Sequence, residues 1–257
     1  MTALRYVYAV CPPFETPLPA DLTGVVGEPP ARLAHGHLVA VVSRVPEDVF
    51  AEEPLRRRLE DLDWLTATAR AHERVVDALT TVTTPLPLRL ATVFRDDSGV
   101  RTMLEEGEAR FRHVLERIAG RVEWGVKVYV DREAPQEVPS PASGRDYLRQ
   151  RRRAALSDEE SWHRAELFSE KLHSALSTHA DAVRLRPPQN SALTPGDENS
   201  GQNVFNAAFL VRRELSERFV EIAEGVRDGD RGIRVELTGP WAAYSFASGE
   251  PDEEAGP

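Results

Sequence analysis

Runs of β-branched and aromatic residues alternate along the chain with segments of helical period. The runs predict strands, because such residues suit a pleated surface, and apolar residues spaced three and four apart predict helices. The predicted strands are Arg5–Val10, Leu38–Val42, Leu86–Phe94, Val122–Val130, Asp181–Leu185, Val204–Val211 and Ile233–Leu237. The predicted helices are Leu55–Val82, Val100–Ile118, Gly144–His179 and Glu214–Val226. Strands mixed with helices in this order predict an α+β fold.

A proline-rich segment separates two halves of the chain. Residues 131–143 contain three prolines and no periodicity, which is typical of a linker. We predict an N-terminal α+β domain at 1–133, a linker at 134–143, a C-terminal α+β domain at 144–249 and a disordered acidic tail at 250–257. Each domain is expected to be a small sheet with helices on one face, and a ferredoxin-like layout is the closest simple architecture.

The charge balance changes which partners are expected. The 257 residues include 32 Lys and Arg against 42 Asp and Glu, which gives a formal net charge of −10. An acidic chain repels nucleic-acid phosphates and anionic membrane surfaces, so we expect neither as a partner. Arg149 and Arg151–Arg153 form the main basic cluster, but Asp158-Glu159-Glu160 follows, which indicates a solvated helix face. The single Cys and the lack of a long apolar run favour a cytoplasmic protein without a transmembrane helix.

Short catalytic motifs are absent from the sequence. It contains no GxSxG, GxGxxG, GK[ST], HExxH or CxxC. His35-Gly36-His37 would place two imidazoles on one face of a strand, but no further ligands lie nearby. We interpret this segment as a turn that enters a strand, and we expect no catalytic residue, cofactor or metal.

Four polar residues form a candidate structural cluster. His72 lies on the apolar face of the first long helix, next to Glu73, and we expect a buried imidazole bonded to a backbone carbonyl or a carboxylate. Arg89 is a lone charge in the strand Leu86–Phe94, so a central strand would require a partner such as Glu73 or Glu123. The alternative is a small-ligand or catalytic pocket formed by His72, Arg89 and Glu123.

Aromatic residues close the second half of the chain. Trp241, Tyr244 and Phe246 follow Gly239-Pro240. Aromatic residues on late strands are usually core residues, but exposed Trp and Tyr side chains form interaction surfaces. Both interpretations remain open at this point.

Several stretches together resemble the gas vesicle protein GvpL/GvpF family. They are RYVYAV, AHERVVDAL followed by PLPLRLATVF, GRVEWGVKVYV, GRDYLRQRRR, NAAFLV and VELTGPWAAYSF, in this order from Tyr6 to Phe246. The family usually has Arg-Phe-Gly-Thr where this chain has Arg89-Leu90-Ala91-Thr92, and a second Pro where it has Ala242. The F type is slightly favoured over the L type.

The resemblance implies a non-enzymatic accessory protein of gas vesicle formation with two α+β domains, the first modified ferredoxin-like. Its partners would be the small, hydrophobic major shell protein and other accessory proteins, in the cytoplasm and at the gas vesicle. Shell protein could be held by sheet-edge addition at Leu86–Phe94 or by the closing aromatics. The candidate partner-binding residues are Trp241, Tyr244, Phe246 and Arg89. The polar loop 187–201 is a further segment that could become ordered on binding.

Overall fold

Strands and helices alternate along the chain in the computed structural model, which describes residues 3–130, 144–188, 201–227 and 232–247. The described residues divide into two compact units. The first unit comprises residues 3–122 together with 241–247, and the second comprises the described residues between 123 and 240. The predicted linker 134–143, the tail 250–257 and most of the loop 187–201 lie outside the described residues.

The first unit contains five strands and five α-helices. They are β1 (Ala3–Cys11), β2 (Ala31–His35), β3 (Leu38–Pro46), α1 (Glu47–Phe50), α2 (Glu52–Arg58), α3 (Leu62–Thr80), β4 (Leu86–Pro87), β5 (Val93–Phe94), α4 (Asp97–Glu106) and α5 (Glu108–Ile118). Short 3-10 turns occur at Val25–Gly27 and Tyr244–Phe246. The strand β6 (Arg121–Val130) begins in the first unit and continues in the second.

The second unit adds the remaining elements. They are α6 (Gly144–Ser177), β7 (Ala182–Leu185), β8 (Gln202–Arg212), α7 (Ser216–Arg227) and β9 (Ile233–Trp241), with a 3-10 turn at Arg213–Leu215. The α+β class predicted from the hydrophobic pattern is confirmed. Of the four clustered arginines on α6, the side chain of Arg152 is described, and it is exposed.

The sheet of the first unit has the order β2-β3-β1-β4, with β5 also pairing with β1. All four strand pairs are antiparallel, and Tyr6 lies opposite Ser43 in the central pair. Nearly every residue of β1 is buried, which explains its continuous apolar run. One face of the sheet packs against α3 through Tyr6, Tyr8, Val41, Val75 and Leu79. A loop with a 3-10 turn connects β1 to β2, and the ferredoxin-like description stays a prediction.

Two predicted helices are each divided in two. The helix predicted over Leu55–Val82 is observed as two helices, the first ending at Arg58 and the second beginning at Leu62. The Asp61 side chain caps the second helix, because it accepts hydrogen bonds from the amides of Asp63 and Trp64 at 3.1 and 3.2 Å. The predicted helix Val100–Ile118 is interrupted at Gly107. Hydrophobic periodicity does not detect such breaks, because the apolar face continues across them.

The predicted strand Leu86–Phe94 is also interrupted. Only its ends, β4 and β5, pair with β1, and a turn occupies the middle. The turn is fixed by backbone hydrogen bonds from the Leu88 amide to the Tyr8 carbonyl and from the Val7 amide to the Thr92 carbonyl, both 2.9 Å. Within it, Ala91 has a φ of 64°, a conformation that non-glycine residues rarely adopt.

The sheet of the second unit has the order β7-β8-β6-β9. Its core contains Phe209 and Phe219, whose ring centroids are 5.4 Å apart, with Leu172 and Leu176 of α6. Trp124 of β6 lies near Phe219 and donates from its indole nitrogen to the Ser216 hydroxyl at 3.2 Å. The helix α7 is therefore fixed to the sheet by both an apolar and a polar contact.

The division into units differs from the predicted domain boundaries. The chain returns to the first unit after β9, because Ala242 joins the core formed by β1, β3 and α3. Phe246 is fully buried, and Arg117 Nη2 of α5 donates to its carbonyl at 2.8 Å. Proline content predicts a linker at 134–143, and this remains a prediction, but it does not reveal that residues 241–247 complete the first unit.

Replacing Gly24 by Ala is expected to destabilise the first unit by about 1–3 kcal/mol. A Cβ atom at Gly24 would lie 2.0 Å from the Tyr8 hydroxyl and 2.9 Å from the Ser43 hydroxyl, and both side chains are buried. Urea unfolding of the full chain, followed by circular dichroism, measures the change. Gly225→Ala is the control, since open space surrounds that helical glycine and Ala favours a helix. Equal stability of Gly24→Ala and wild type would contradict this account of the close contact.

Candidate functional site

The closing aromatic segment of the chain belongs to the first unit. Trp241 and Tyr244 are each 37% exposed, whereas Phe246 is fully buried. We call the exposed side chains of Trp241 and Tyr244 the aromatic surface. Of the three candidate aromatic residues, two are therefore placed where a partner can reach them, and Phe246 is a core residue.

Buried neighbours fix the aromatic surface in place. Ala242 and Ala243 lie between the two aromatics and are almost fully buried. The Tyr244 ring lies against His72 of α3, with 6.4 Å between ring centroids. Small residues thus bring the backbone close to the core while the two large rings remain partly exposed, so the surface is rigidly held.

His72 is a buried residue of α3, and its hydrogen-bond partner is a tyrosine hydroxyl and not the backbone carbonyl or carboxylate expected from the sequence. It is only 3% exposed, and its Nδ1 is hydrogen-bonded to the Tyr6 hydroxyl at 2.9 Å. The Tyr6 hydroxyl also accepts a bond from the Ala91 amide at 3.2 Å. His72 Nε2 has no hydrogen-bond partner among the described residues. The imidazole therefore links β1 to α3 and does not face an open pocket.

Burial also sets the protonation states of this polar core. It lowers the pKa of His72 from 6.5 to about 4, because the charged imidazolium would be desolvated. The same desolvation raises the pKa of Tyr6 and of Tyr8. Cys11 is buried as well, and its thiol pKa rises to about 12, which makes it a poor nucleophile. At neutral pH this core is uncharged.

Arg89 does not lie in a central strand, so the ion pair that such a position would require does not form. It is exposed in the turn between β4 and β5, where its carbonyl accepts bonds from the amide and hydroxyl of Thr92. It makes no ion pair within the part of the chain that the structure describes. The interruption of the strand explains the difference, since a turn at the sheet edge places the guanidinium in solvent.

Neither Glu73 nor Glu123 forms an ion pair with Arg89 among the described residues. Glu73 is exposed on α3, and its charge contributes to raising the pKa of Asp77, after the larger effect of burial. Glu123 belongs to the second unit and is 6% exposed. Its Oε1 lies 3.4 Å from Arg186 Nη2 of the same unit. His72 and Arg89 belong to the first unit, so the predicted polar set is distributed over both units, and the pairs expected with Arg89 are not formed.

Metal ligation receives no support from the described residues. His35-Gly36-His37 is the tight connection between β2 and β3, with Gly36 at a φ of 57°, as the turn interpretation expects. No group of three or more His, Cys, Asp and Glu side chains suited to a metal occurs in the described ranges. No helix among the described residues is both long and apolar enough to span a bilayer.

A second apolar surface, in the second unit, was not predicted from the sequence. A groove of about 480 Å³ lies between α6 and the strands β7 and β8. Trp162 is 41% exposed and Leu185 is 49% exposed at this groove, and Phe205 also lines it. We call these three residues the α6 groove. In the sequence, the available signal for this groove was Trp162 among charged residues of α6. Whether that tryptophan is exposed, however, depends on how the helix packs.

Comparison with known proteins places this chain in a family. The family model described as "Gas vesicle synthesis protein GvpL/GvpF" matches residues 4–248. The chain belongs to this family. The solved structure of gas vesicle protein GvpF from Anabaena sp. PCC7120 has the same fold, with a TM-score of 0.68 at 20% identity, over 98% of this chain and 99% of that one.

Two relatives from Streptomyces sp. (strain CB03234) bear on the F or L type of this GvpL/GvpF protein. It is 54% identical to gas vesicle protein L over 95% of this chain and 92% of the relative. It is 28% identical to gas vesicle protein F over 94% of this chain and 98% of the relative. Within one organism the similarity to L is clearly higher, so the slight preference for the F type is not supported.

The buried imidazole predicts an acid-sensitive stability for this GvpL/GvpF protein. Unfolded His72 would take up a proton near pH 6.5, whereas the folded state resists protonation down to about pH 4. The unfolded state therefore binds more protons in this window, and stability falls as the pH decreases through it, by about 3 kcal/mol from this group. We expect His72→Gln to reduce the loss, measured as the free energy of urea unfolding at about pH 7 and pH 4.5.

His163→Gln is the matched control for this experiment. Its side chain is 70% exposed on α6, so its removal should leave the pH dependence as in wild type. If His72→Gln lost stability on acidification as steeply as wild type, His72 would not be the responsible group.

Proposed function

We propose that this chain is a non-enzymatic accessory protein of gas vesicle formation that binds the hydrophobic major shell protein. It acts in the cytoplasm and at the vesicle, together with other gas vesicle proteins. Family membership supports the gas vesicle role. The shell-binding step rests on the chemistry of the exposed surfaces.

The observation that carries this proposal is the aromatic surface. Trp241 and Tyr244 are held on buried alanines and by the contact of Tyr244 with His72. Preordered Trp and Tyr side chains lose little conformational entropy on binding, and they dominate protein interfaces. An apolar partner segment would cover both rings and remove its own hydrophobic surface from water.

The net charge of the chain supports a role in keeping such a partner in solution. A formal charge of −10 leaves a complex with a small apolar protein strongly charged, and charge of this size opposes aggregation. Arg89 is accessible at the edge of the same unit and is a candidate for polar contacts at the rim of the bound partner.

Strand addition at the edge formed by residues 86–94 is less favourable than the aromatic surface. The two strands at that edge have two residues each, and a turn separates them. Strand addition needs a continuous row of backbone donors and acceptors, which this edge does not provide. The aromatic surface is therefore the preferred site.

Trp241→Ala combined with Tyr244→Ala is expected to reduce shell-protein capture about tenfold, because two aromatic contacts would be lost. The tagged full-length chain is coexpressed with the major shell protein, and the captured shell protein is quantified per folded chain. Capture by wild type should resist high salt and be lost in detergent, as expected for an apolar contact. Circular dichroism verifies that the variants are folded.

Trp162→Ala provides a matched control, since it removes a tryptophan of similar exposure from the second unit. Capture that survives the Trp241 and Tyr244 substitutions but is lost with Trp162→Ala and Leu185→Ala would move the binding site to the α6 groove. If wild type captured no shell protein, the proposed binding function itself would be refuted.

A further inference from the structure

Residues of β1, β2, β3 and α4 line most of a cavity of about 470 Å³ in the first unit. Tyr6 and Tyr8 of β1 pack on the side of the sheet that faces α3. Arg5 precedes Tyr6 and therefore lies on the other face, because successive side chains of a strand alternate. Arg44 of β3 lies directly opposite Arg5 and shares that face. The cavity thus lies on the side of the sheet that faces away from α3.

An ion pair holds α4 over this face of the sheet. Arg5 pairs with Asp97 in the first turn of α4, and its Nη1 also donates to the Ala3 carbonyl at 2.8 Å. Arg101 lies four residues after Asp97, and residues at this spacing lie on the same side of a helix. The pair therefore turns Arg101 toward the cavity, which it lines.

Positive charge exceeds negative charge around the cavity. Four arginines and two carboxylates line it, namely Arg5, Arg32, Arg44 and Arg101 against Glu28 and Asp97. The guanidinium of Arg32 is engaged elsewhere, since its Nη1 donates to the Phe14 carbonyl at 2.8 Å. Even without that group the lining carries an excess of positive charge, whereas the whole chain carries −10. The local potential therefore favours an anion.

Two of the arginines are available to a ligand. Arg44 and Arg101 are exposed, and neither makes an ion pair or hydrogen bond within the described parts of the chain. Like charges directly opposite each other on a sheet repel, so an anion beside Arg44 and Arg5 would reduce an existing cost. A guanidinium can bind phosphate oxygens in pairs, and a phosphate monoester has three such oxygens. Two guanidinium groups from separate elements therefore suit a phosphate better than a single carboxylate.

The floor of the cavity is apolar. Ala31 and Leu33 of β2 and Val42 of β3 line it, and Ala31 lies opposite Val42 in the pair of strands. The volume corresponds to roughly fifteen water molecules, so inorganic phosphate alone would leave most of the cavity filled with water. An apolar group attached to the phosphate would cover this floor and gain from its burial. Volume and floor together favour an organic phosphate over the bare ion.

We propose that this cavity binds a small organic phosphate. Its phosphate group accepts hydrogen bonds from Arg44 and Arg101, and its apolar part covers Ala31, Leu33 and Val42. The pair of Arg5 and Asp97 remains formed and keeps α4 in position. This site uses neither the aromatic surface nor the α6 groove, so it is independent of shell-protein binding.

The test titrates the isotope-labelled full-length chain with phenyl phosphate, followed by amide NMR. Phenyl phosphate should shift the amide resonances of Ala31, Leu33 and Val42 and reach saturation. Phenol, which lacks the phosphate, should produce no such shifts. Inorganic phosphate should bind about tenfold more weakly than phenyl phosphate, because it leaves the apolar floor uncovered.

Arg44→Gln combined with Arg101→Gln should weaken the binding of phenyl phosphate about tenfold or more, because two charge-assisted contacts are lost. Both side chains are exposed and unpaired among the described residues, so the double variant should keep the circular dichroism of wild type. Arg56→Gln combined with Arg58→Gln is the matched control. It removes the same charge from exposed positions on α2 and should bind like wild type.

Three results would overturn the proposal. Equal affinity of wild type and the Arg44 and Arg101 double variant would show that these arginines do not form the site. Equal affinity for inorganic phosphate and phenyl phosphate would reduce the cavity to a simple anion site. Phenyl phosphate that left the resonances of Ala31, Leu33 and Val42 unchanged would exclude the cavity as its binding place.

Discussion

The hydroxyl of Tyr6 joins three parts of the first unit that are far apart in the sequence. From the central strand β1 it bonds the buried imidazole of His72 on α3 and the amide of Ala91 in the edge turn. A buried imidazole nitrogen without a partner costs about 1–3 kcal/mol, so this hydroxyl offsets such a cost at His72 Nδ1. The hydroxyl of Tyr8, on the same strand, donates to the Ser43 hydroxyl and accepts from the Val25 amide. The position of the sheet, the long helix and both loops depends on these two tyrosines.

The aromatic surface depends on the same arrangement. The ring of Tyr244 rests against His72, which Tyr6 holds in place, and Ala242 belongs to the core that surrounds both tyrosines. The exposed ring of Tyr244 thus lies against a buried residue of the unit's core. A surface built in this way offers a partner a fixed shape, in contrast to a loop that must be ordered on binding.

The sequence identifies the elements whose burial is continuous, and it fails where distant residues determine the local conformation. The predicted ends of β1, β3, β6 and β8 lie within a few residues of the observed ends. These strands are largely buried, and a buried strand requires apolar side chains at almost every position. The strand predicted at residues 86–94 is interrupted where Ala91 takes up a positive φ and its amide donates a hydrogen bond to the hydroxyl of Tyr6, which lies 85 residues away. The exposed position of Arg89 follows from that turn. The ion pairs with Glu73 or Glu123 were considered for a continuous central strand, and they do not form because the strand is interrupted there.

The candidate sites show the same limit. The sequence left open whether the aromatic residues at 241–246 belong to the core or to the surface. Only the packing shows that Phe246 is buried and that Trp241 and Tyr244 are exposed. The α6 groove brings together residues from separate elements, and no local motif marks such a set. The burial of His72, by contrast, follows from its place on an apolar helix face, whereas its partner Tyr6 lies 66 residues away and has no signal in the local sequence.

The return of residues 241–247 to the first unit has a consequence for biosynthesis. Domains generally fold in order as the chain leaves the ribosome. Here the first unit lacks Ala242 and Phe246 until the whole second unit has been translated. The nascent first unit therefore keeps part of its core open while the second unit is being translated, and its last packing step coincides with the appearance of Trp241 and Tyr244. The rings of the aromatic surface thus reach their folded positions only after the second unit has been made.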